Sequence, residues 1–331
     1  MTTRPDVSVI IPSRAPQYLQ KTVDDLLKKS ETDIEIIVVL DGYWPDPPVH
    51  DNKRVKLLHH GTVHDHFGMR ESINRGIRIS RGKYLMKTDE HCMFEQGFDK
   101  KLIADCEADW LVIPRRERLD AEKWELIKDG RPAVDYMHIT YPYERPYDRR
   151  CGLYGGGIDK QRTKDRADVL IDDVMAFQGS CYFLHRKYWD QIIGHLETEN
   201  YGTFNHEAQE VGFKVWLSGG RVVVNKKTWY AHYHKGKNGK GYNFSTEQYR
   251  RHELDKEKAR RYCLDFWLKN KWDRRVHDFE WLVDKFWPVP GWPQDWKTRI
   301  WEDAKHDWAN DPSKQPSEWL NPNDLKNEKQ N

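Results

Sequence analysis

Short apolar runs alternate with amphipathic stretches along the first ninety residues. The apolar runs predict buried strands at Val7–Ile11, Ile34–Leu40, Val55–Leu58 and Tyr84–Met86. Apolar residues recur at helical spacing over residues 16–29 and 67–80, so helices are predicted there. Strands that alternate with helices at this spacing predict an α/β fold around a mostly parallel, doubly wound sheet.

The pattern changes after residue 115. Residues 115–170 are rich in Arg, Asp, Tyr, Pro and Gly, and we interpret them as one long excursion over the active face, not as a second domain. Apolar core patterns then return, so residues 1–244 are predicted to form the main domain. Residues 245–331 are charged, helical in pattern and rich in tryptophan, which predicts a helical C-terminal extension whose tryptophans mostly pack against that domain.

Composition narrows the class of protein. The formal net charge of +2 does not by itself predict a polyanionic partner. The five cysteines are odd in number and widely spaced, which favours a reducing compartment over a disulfide framework. The first residues are polar, and no apolar run approaches 18 residues, so neither a secretory signal nor a membrane span is expected. A cytoplasmic enzyme is the default expectation.

Two acidic residues, Asp41 and Asp89, directly follow predicted strands. In doubly wound sheets ligands bind at the carboxyl ends of the strands, so these are the first candidate site residues. On an extended segment Asp89 and His91 would point the same way and could bind one divalent cation, with Mn²⁺ favoured and Mg²⁺ as the alternative. Taken alone, the triplet also fits an ordinary exposed strand end, and Lys87 merely precedes it.

Several motifs in order resemble the family 2 glycosyltransferases, which have the nucleotide-diphospho-sugar transferase fold called GT-A. They are Val9–Arg14, a helix with Arg70, Asn74 and Gly76, then Gly82 before the strand that ends at Asp89. The resemblance implies a mixed, mostly parallel sheet between helices in a catalytic domain over residues 1–244. It also implies a UDP-sugar donor, since Asp41 stands where that family's aspartate contacts uracil. The donor-binding residues it implies are Pro12, Arg14, Asp41, Arg70, Asn74, Asp89 and Gly179.

A second segment, Asn205–Trp216, resembles the G-G-E-N-x-E-x-S-F-R-V-W segment of polypeptide N-acetylgalactosaminyltransferases. Glu207 and Glu210 fall on its two glutamates and are the implied catalytic residues. Asn205-His206 replaces two glycines, which affects the expected sugar specificity. Those enzymes also use D-x-H and a later histidine, so the implied metal ligands are Asp89, His91 and His232. His234 competes with His232 for the third place.

These resemblances together imply a metal-dependent enzyme that moves a sugar from a UDP-sugar donor to a hydroxyl. Family 2 members invert the anomeric centre, which favours inversion with Glu207 as the base, whereas the N-acetylgalactosaminyltransferases retain it. A nucleotidyltransferase of the same fold would show a Gly-rich basic loop after the first strand, which Ser13–Pro16 is not. A non-catalytic sugar-binding relative would be expected to lose the metal residues.

The acceptor is the least defined part of the sequence. Residues 225–241 contain five lysines and no acid, and arginines and tryptophans follow them. Basic residues interleaved with aromatics suit a polyanion with exposed bases, and aromatic rings also stack on sugars. Two acceptors are therefore expected: a glycan or glycoconjugate, and a hydroxymethylated base in DNA of the phage type.

The sequence also contains a dense cluster of histidines. It comprises His59, His60, His64 and His66, on a predicted variable loop. We interpret them as solvated loop residues, with contact to phosphate as the alternative.

Overall fold

A computed structural model describes residues 4–14, 16–62, 68–143, 152–202, 204–234 and 246–305, without the side chains of residues 16, 246–254 and 257. The strands are β1 Val7–Ser13, β2 Ile34–Asp41, β3 Val55–His60, β4 Tyr84–Thr88, β5 Cys92–Phe94, β6 Trp110–Asp120, β7 Glu125–Leu126, β8 Met137–His138, β9 Gly157–Ile158, β10 Ile171–Asp173, β11 Cys181–His185 and β12 Arg221–His232. The helices are α1 Leu19–Lys29, α2 Met69–Ile79, α3 Phe98–Ala104, α4 Lys160–Asp165, α5 Arg186–Tyr188, α6 Glu207–Leu217, α7 Thr246–Leu268, α8 Phe279–Lys285 and α9 Trp296–Asp303. A 3-10 turn at Pro16–Tyr18 precedes α1, and a π-helical turn at Trp189–Ile193 follows α5.

One mixed sheet organises the chain, in the order β10-β12-β6-β11-β4-β1-β2-β3. Strand β1 pairs in parallel with β2 and β4, β2 with β3, and β6 with β12. Strand β11 runs antiparallel between β4 and β6, and β10 pairs antiparallel with β12. The predicted α/β fold, with a mostly parallel sheet between helices and a helical C-terminal region, is confirmed.

Alternating side chains of the central strands fill two cores, one on each side of the sheet. Val9 and Ile11 of β1 pack in one core together with α1, whereas Ile10 packs in the other with Ile73 of α2. A parallel sheet buried on both faces needs such near-continuous apolar strands, which is why the runs of β1 and β2 were visible in the sequence.

The carboxyl ends of β1, β2 and β4 meet at one edge of the sheet. Arg14, Asp41 and Asp89 each lie directly at such an end, as the strand predictions require. The expectation that Asp89–His91 stays extended is wrong, because Glu90 and His91 form a turn between β4 and β5. The turn lets β5 pair antiparallel with β12, which sets Cys92 opposite His232.

The histidine cluster is also different from the expectation. His59 and His60 belong to β3. His60 is buried, and its Nε2 atom lies 2.9 Å from the Ser72 hydroxyl of α2. The other two histidines lie outside the described residues.

Tryptophans of the C-terminal region pack into the same core as the sheet. Trp267, Trp292 and Trp296 are buried in the cluster that contains Ile10 and Val39. Trp267 donates to the Tyr201 hydroxyl at 2.7 Å, and the Trp292 indole donates to a backbone carbonyl of the main domain at 2.7 Å. No helix within the described ranges has the length and apolar character needed to cross a bilayer.

Candidate active site

Asp89, His91 and His232 converge at the sheet edge. The Nε2 atom of His232 lies 3.0 Å from that of His91 and 3.3 Å from Oδ2 of Asp89, which is 3.9 Å from the His91 Nε2. The two histidines are buried and the carboxylate is partly exposed. One carboxylate oxygen and two imidazole nitrogens thus face a common point, with all ligand atoms within 4.8 Å of one another.

This donor set fits a divalent cation. Imidazole and carboxylate together suit Mn²⁺ and similar ions, and two imidazole nitrogens 3.0 Å apart are a natural pair of ligands. His234 is not part of the group; its ring packs edge-on against that of His232 with centroids 4.7 Å apart. Burial lowers the pKa of His232, so its imidazole is neutral at neutral pH, the form that ligates metals.

Lys87 is a fully buried lysine beside this group, a residue that sequence reasoning treated as a mere neighbour. Its Nζ atom donates to Oδ1 of Asp89 and to the carbonyl of Gly179, both at 2.6 Å. One oxygen of Asp89 is therefore held by an ammonium while the other faces the histidines. Burial opposes ionisation of Asp89, but Lys87 and the hydrogen bond from His232 hold its pKa well below the usual range.

A second group lies at the ends of β1 and β2. Arg14 Nη1 is 3.3 Å from Oδ2 of Asp41, whose other oxygen lies 3.9 Å from His60 Nε2. Burial raises the pKa of Asp41 to about 6, against the opposing effect of the Arg14 charge. The carboxylate can accept a hydrogen bond from a polar ring such as a nucleotide base, and the partly exposed arginine can donate one to it. Pro12 of β1 lies two residues before Arg14. The hydroxyl of Ser13, between them, donates a hydrogen bond to the Glu90 carboxylate.

Glu207 begins α6 and is buried, with Oε1 lacking a hydrogen-bond partner among the described residues. Burial raises its pKa, and the nearby Lys87 charge opposes this rise. Gly179 makes room for it, since a Cβ at Gly179 would lie 2.0 Å from Glu207 Oε2. The glycine thereby lets the carboxylate rest against the backbone of the loop that also binds Lys87.

The structure places Arg70, Asn74 and Glu210 around the segment that leads into α6. Arg70 is fully buried and donates to the Glu210 carboxylate, to the Glu197 carbonyl at 2.6 Å and to the Asn205 carbonyl at 2.8 Å. Asn74 exchanges two hydrogen bonds with the backbone of Leu196, each at 2.8 Å. These contacts tie α2 to the segment that leads into α6.

Both oxygens of Glu210 are occupied. Arg70 contacts Oε2, and Lys214 contacts Oε1 at 2.6 Å. An oxygen held in this way is poorly available to a sugar, so the contacts favour the alternative that Glu210 orients its neighbours.

The backbone at the start of α6 is unusual. His206, which caps the helix, has a φ of +53°, a conformation that glycine adopts more easily than histidine. The resembling segment carries glycine there. His206 instead bonds through Nε2 to the carbonyl of Gly152 at 2.9 Å, which anchors the helix start to the segment of residues 115–170.

Comparison with known proteins identifies the class. Residues 8–189 match the sequence model of glycosyl transferase family 2. A putative polypeptide N-acetylgalactosaminyltransferase 13 of Drosophila melanogaster is 24% identical over 250 residues, which are 66% of this chain and 40% of that protein. The chain thus spans less than half the length of this curated relative.

One solved structure gives the same result at the level of the fold, and a second is more distant. The crystal structure of GalNAc-T7 with UDP, GalNAc and Mn²⁺ superposes with a TM-score of 0.59 at 15% identity, covering 81% of this chain and 49% of that one. A structure of S. aureus TarS 1-349 in complex with UDP-GlcNAc gives a TM-score of 0.47 at 12% identity, over 76% of this chain and 66% of that one. A family match over more than half of the residues, on a sheet of this topology, shows that the chain belongs to glycosyl transferase family 2 and has the GT-A fold.

Proposed function

We propose that the protein transfers a sugar from a UDP-sugar donor to a hydroxyl group, and that it requires a divalent cation, most simply Mn²⁺. The convergence of Asp89, His91 and His232 on one point at the sheet edge carries this proposal. The solved relative that contains UDP, GalNAc and Mn²⁺ has the same fold, which supports the choice of nucleotide and metal.

In this proposal, different residues at the sheet edge bind different parts of the donor. Asp41 and Arg14, at the ends of β2 and β1, are suited to the uracil and ribose, because they offer an acceptor and a donor side by side. Asp89, His91 and His232 would hold the cation, which when bound neutralises charge on the diphosphate leaving group. Gly179 and Glu207 line the adjoining space, where the sugar is expected.

Arg70, Asn74 and Glu210 act on the donor indirectly in this proposal. Their hydrogen bonds fix residues 196–206, and this segment sets the start of α6 and the place of Glu207. They are positioning residues rather than contacts of the donor.

We infer that the reaction inverts the anomeric centre, with Glu207 as the general base. A base must accept a proton from the acceptor hydroxyl, and the Oε1 atom of Glu207 is a buried acceptor without a hydrogen-bond partner in the described part of the molecule. The raised pKa of Glu207 makes it a stronger base than an exposed glutamate. The NMR coupling constant at the anomeric proton of the product distinguishes inversion from retention.

The acceptor of the proposed reaction is a glycan, a glycoconjugate or a hydroxymethylated base in DNA. The lysines at 235, 237 and 240, on which the DNA alternative depends, lie outside the described residues. A salt-dependent affinity for hydroxymethylated duplex, with a steep slope from counterion release, supports DNA. Absent or salt-insensitive binding leaves the glycan.

Hydrolysis of a panel of UDP-sugars, with and without Mn²⁺, tests the function. We expect turnover of at least one donor with metal, and its loss in EDTA and in Asp89→Ala and His91→Ala. A variant of an exposed carboxylate, Asp24→Ala, is the matched control and should keep its activity. Full turnover in EDTA would overturn the metal-dependent proposal.

A further inference from the structure

Arg116 of β6 is a buried guanidinium without a carboxylate partner among the residues that the structure describes. Its side chain is 7% exposed, and its contacts are the His234 ring, with Nη1 3.4 Å from Nε2, and the sulfur of Met137 at 3.9 Å. Neither partner carries a negative charge. A buried cation that lacks a counter-charge is strongly unfavourable, because desolvation is not offset by ion pairing.

The neighbouring arginines are paired. On the same strand Arg115 binds Asp135 at 2.7 Å and Arg118 binds Asp129 at 3.1 Å. Arg70, which is more deeply buried, binds Glu210. The chain therefore provides carboxylates for these arginines and leaves Arg116 without one in the described part of the molecule. The segment 235–245, which follows His234, contains no Asp or Glu that could serve.

Arg116 faces the same side of the sheet as the metal-binding group. In the parallel pair of β6 and β12, Arg116 is in register with Tyr230, and Arg118 with His232. Side chains in register on neighbouring strands project to the same face, and so do residues two apart on one strand. The His234 ring, which Arg116 contacts, packs against the ring of His232.

We propose that Arg116, with His234 beside it, forms an oxyanion-binding subsite next to the metal group, which takes a phosphate-class group of a substrate. The planar guanidinium is suited to this class, since it can donate two parallel hydrogen bonds to phosphate oxygens. The phosphate has two sources: the diphosphate of the donor, or a phosphate on the acceptor. The inference rests on the proposed UDP-sugar function, which places an anion at this edge.

Isothermal titration calorimetry of the protein, with Mg²⁺ present throughout, tests the subsite. The probes are uridine, UDP, and inorganic phosphate added with and without saturating UDP. The variants are Arg116→Gln and, as a matched control on the same strand and face, Arg118→Gln. We expect Arg116→Gln to lower the affinity for one of the anionic probes about tenfold or more, because hydrogen bonds between charged groups are among the stronger ones. Arg118→Gln and the affinity for uridine should change little.

The two sources give different results. If Arg116→Gln lowers the affinity for UDP but not for uridine, the subsite holds the donor diphosphate. If the affinity for UDP is unchanged, but phosphate binds to the UDP complex of the wild type and not to that of Arg116→Gln, the subsite holds an acceptor phosphate. If neither UDP nor phosphate depends on Arg116, the proposal is overturned.

Thermal unfolding without ligands separates a binding role from a structural one. Because Arg116 lacks a counter-charge, Arg116→Gln should keep or raise the Tm, whereas loss of a structural arginine lowers it. A marked fall in Tm would overturn the proposal even if binding weakened. These measurements need no turnover, so they are distinct from the donor-hydrolysis test, where failure would concern the catalytic proposal alone.

Discussion

Among single residues, Glu207 combines burial with an oxygen that lacks a hydrogen-bond partner in the described structure. We expect Glu207→Gln, which keeps the shape of the side chain, to lower the single-turnover rate about 10²–10⁴-fold, the usual contribution of a general base. The affinity for the UDP-sugar should change little, because the loss is confined to the transition state. Rapid-quench kinetics and calorimetry measure the two effects separately. Near-normal turnover of the variant would show that the base lies elsewhere.

Lys87 gives a prediction about stability and metal binding together. Lys87→Met leaves the Asp89 carboxylate without its cation, which we expect to cost roughly 3–5 kcal/mol in the absence of metal, as for other broken buried pairs. A metal ion then supplies the missing positive charge, so Mn²⁺ should raise the Tm of the variant more than that of the wild type.

Differential scanning calorimetry with and without Mn²⁺ measures this difference. The control is Lys226→Met, since Lys226 is also buried but donates to the carbonyl of Arg166, at 2.6 Å. Its metal-induced shift should equal that of the wild type. Equal shifts in all three proteins would mean that Lys87 does not act on the metal group.

Asp41 gives a prediction about pH. Burial raises its folded-state pKa to about 6, so the carboxyl is mostly protonated at pH 5 and ionised at pH 7. If the ionised form accepts the N–H of uracil, uridine affinity should rise as pH increases through about 6. Uridine is the suitable probe, because phosphate groups titrate in the same range. Asp41→Asn should remove the pH dependence, and an unchanged profile in that variant would assign it to another group.

The same pKa fixes the sign of its effect on stability. Because the folded value lies above the unfolded one, the contribution of Asp41 to folding is present below the unfolded pKa and is lost as pH rises through about 6.

The strand pattern was enough to propose Asp89 and His91, because ligands lie at the carboxyl ends of strands. His232 was proposed only from the resemblance to polypeptide N-acetylgalactosaminyltransferases. Lys87 and Arg116 could not be assigned roles in this way. Lys87 lies in a strand among mostly apolar residues and Arg116 among charged ones. The role of each depends on which carboxylates surround it in three dimensions. A buried lysine or arginine within a strand is the one sequence signal that could have indicated them.

At the scale of elements, α6 is held by a buried ion pair and not only by apolar packing. We expect Glu210→Gln to destabilise the protein by about 3–5 kcal/mol, because Arg70, with no exposed surface, would lose its counter-charge. Urea unfolding gives this free energy. The control is Glu71→Gln, since the pair of Glu71 with Arg75 is partly exposed and is expected to contribute less than about 0.5 kcal/mol.

Activity distinguishes the two glutamates of α6. The Glu210→Gln variant, measured where it remains folded, should keep a rate well above that of Glu207→Gln. If its rate falls as far as that of Glu207→Gln while stability is unchanged, Glu210 has a catalytic role and the positioning role is wrong.

Elements with local signals were predicted closely, and those made by distant contacts were not. The strands β1, β2 and β4 are continuous apolar runs, and the structure extends each by one or two residues. The turn at Glu90 and His91 has no local signal, since it is set by the pairing of β5 with β12. The same holds for the small ladder of β8 and β9, whose partners Met137 and Ile158 are far apart in sequence.

At the scale of the whole molecule, the C-terminal helices share the core of the sheet. The division into residues 1–244 and 245–331 remains a prediction about the sequence. The described part of the second segment contributes buried tryptophans to the same apolar cluster as β1 and α2. We therefore propose that the two segments unfold as one cooperative unit.

Trp267 of α7 connects this packing to the site and allows the proposal to be tested. Its ring packs edge-on against Phe213 of α6, and its indole donates to Tyr201, whose own ring lies under Arg70 at 4.5 Å. We expect Trp267→Ala to cost about 3–5 kcal/mol, as for other buried large-to-small changes, and to weaken UDP binding by loosening the support of α6. Trp301→Ala, at a ring 37% exposed, should cost far less.

Urea unfolding of the wild type, monitored by tryptophan fluorescence and by UDP binding, should give one coincident transition. Two separate transitions would mean that the C-terminal segment folds independently, because a shared core cannot be lost in two steps.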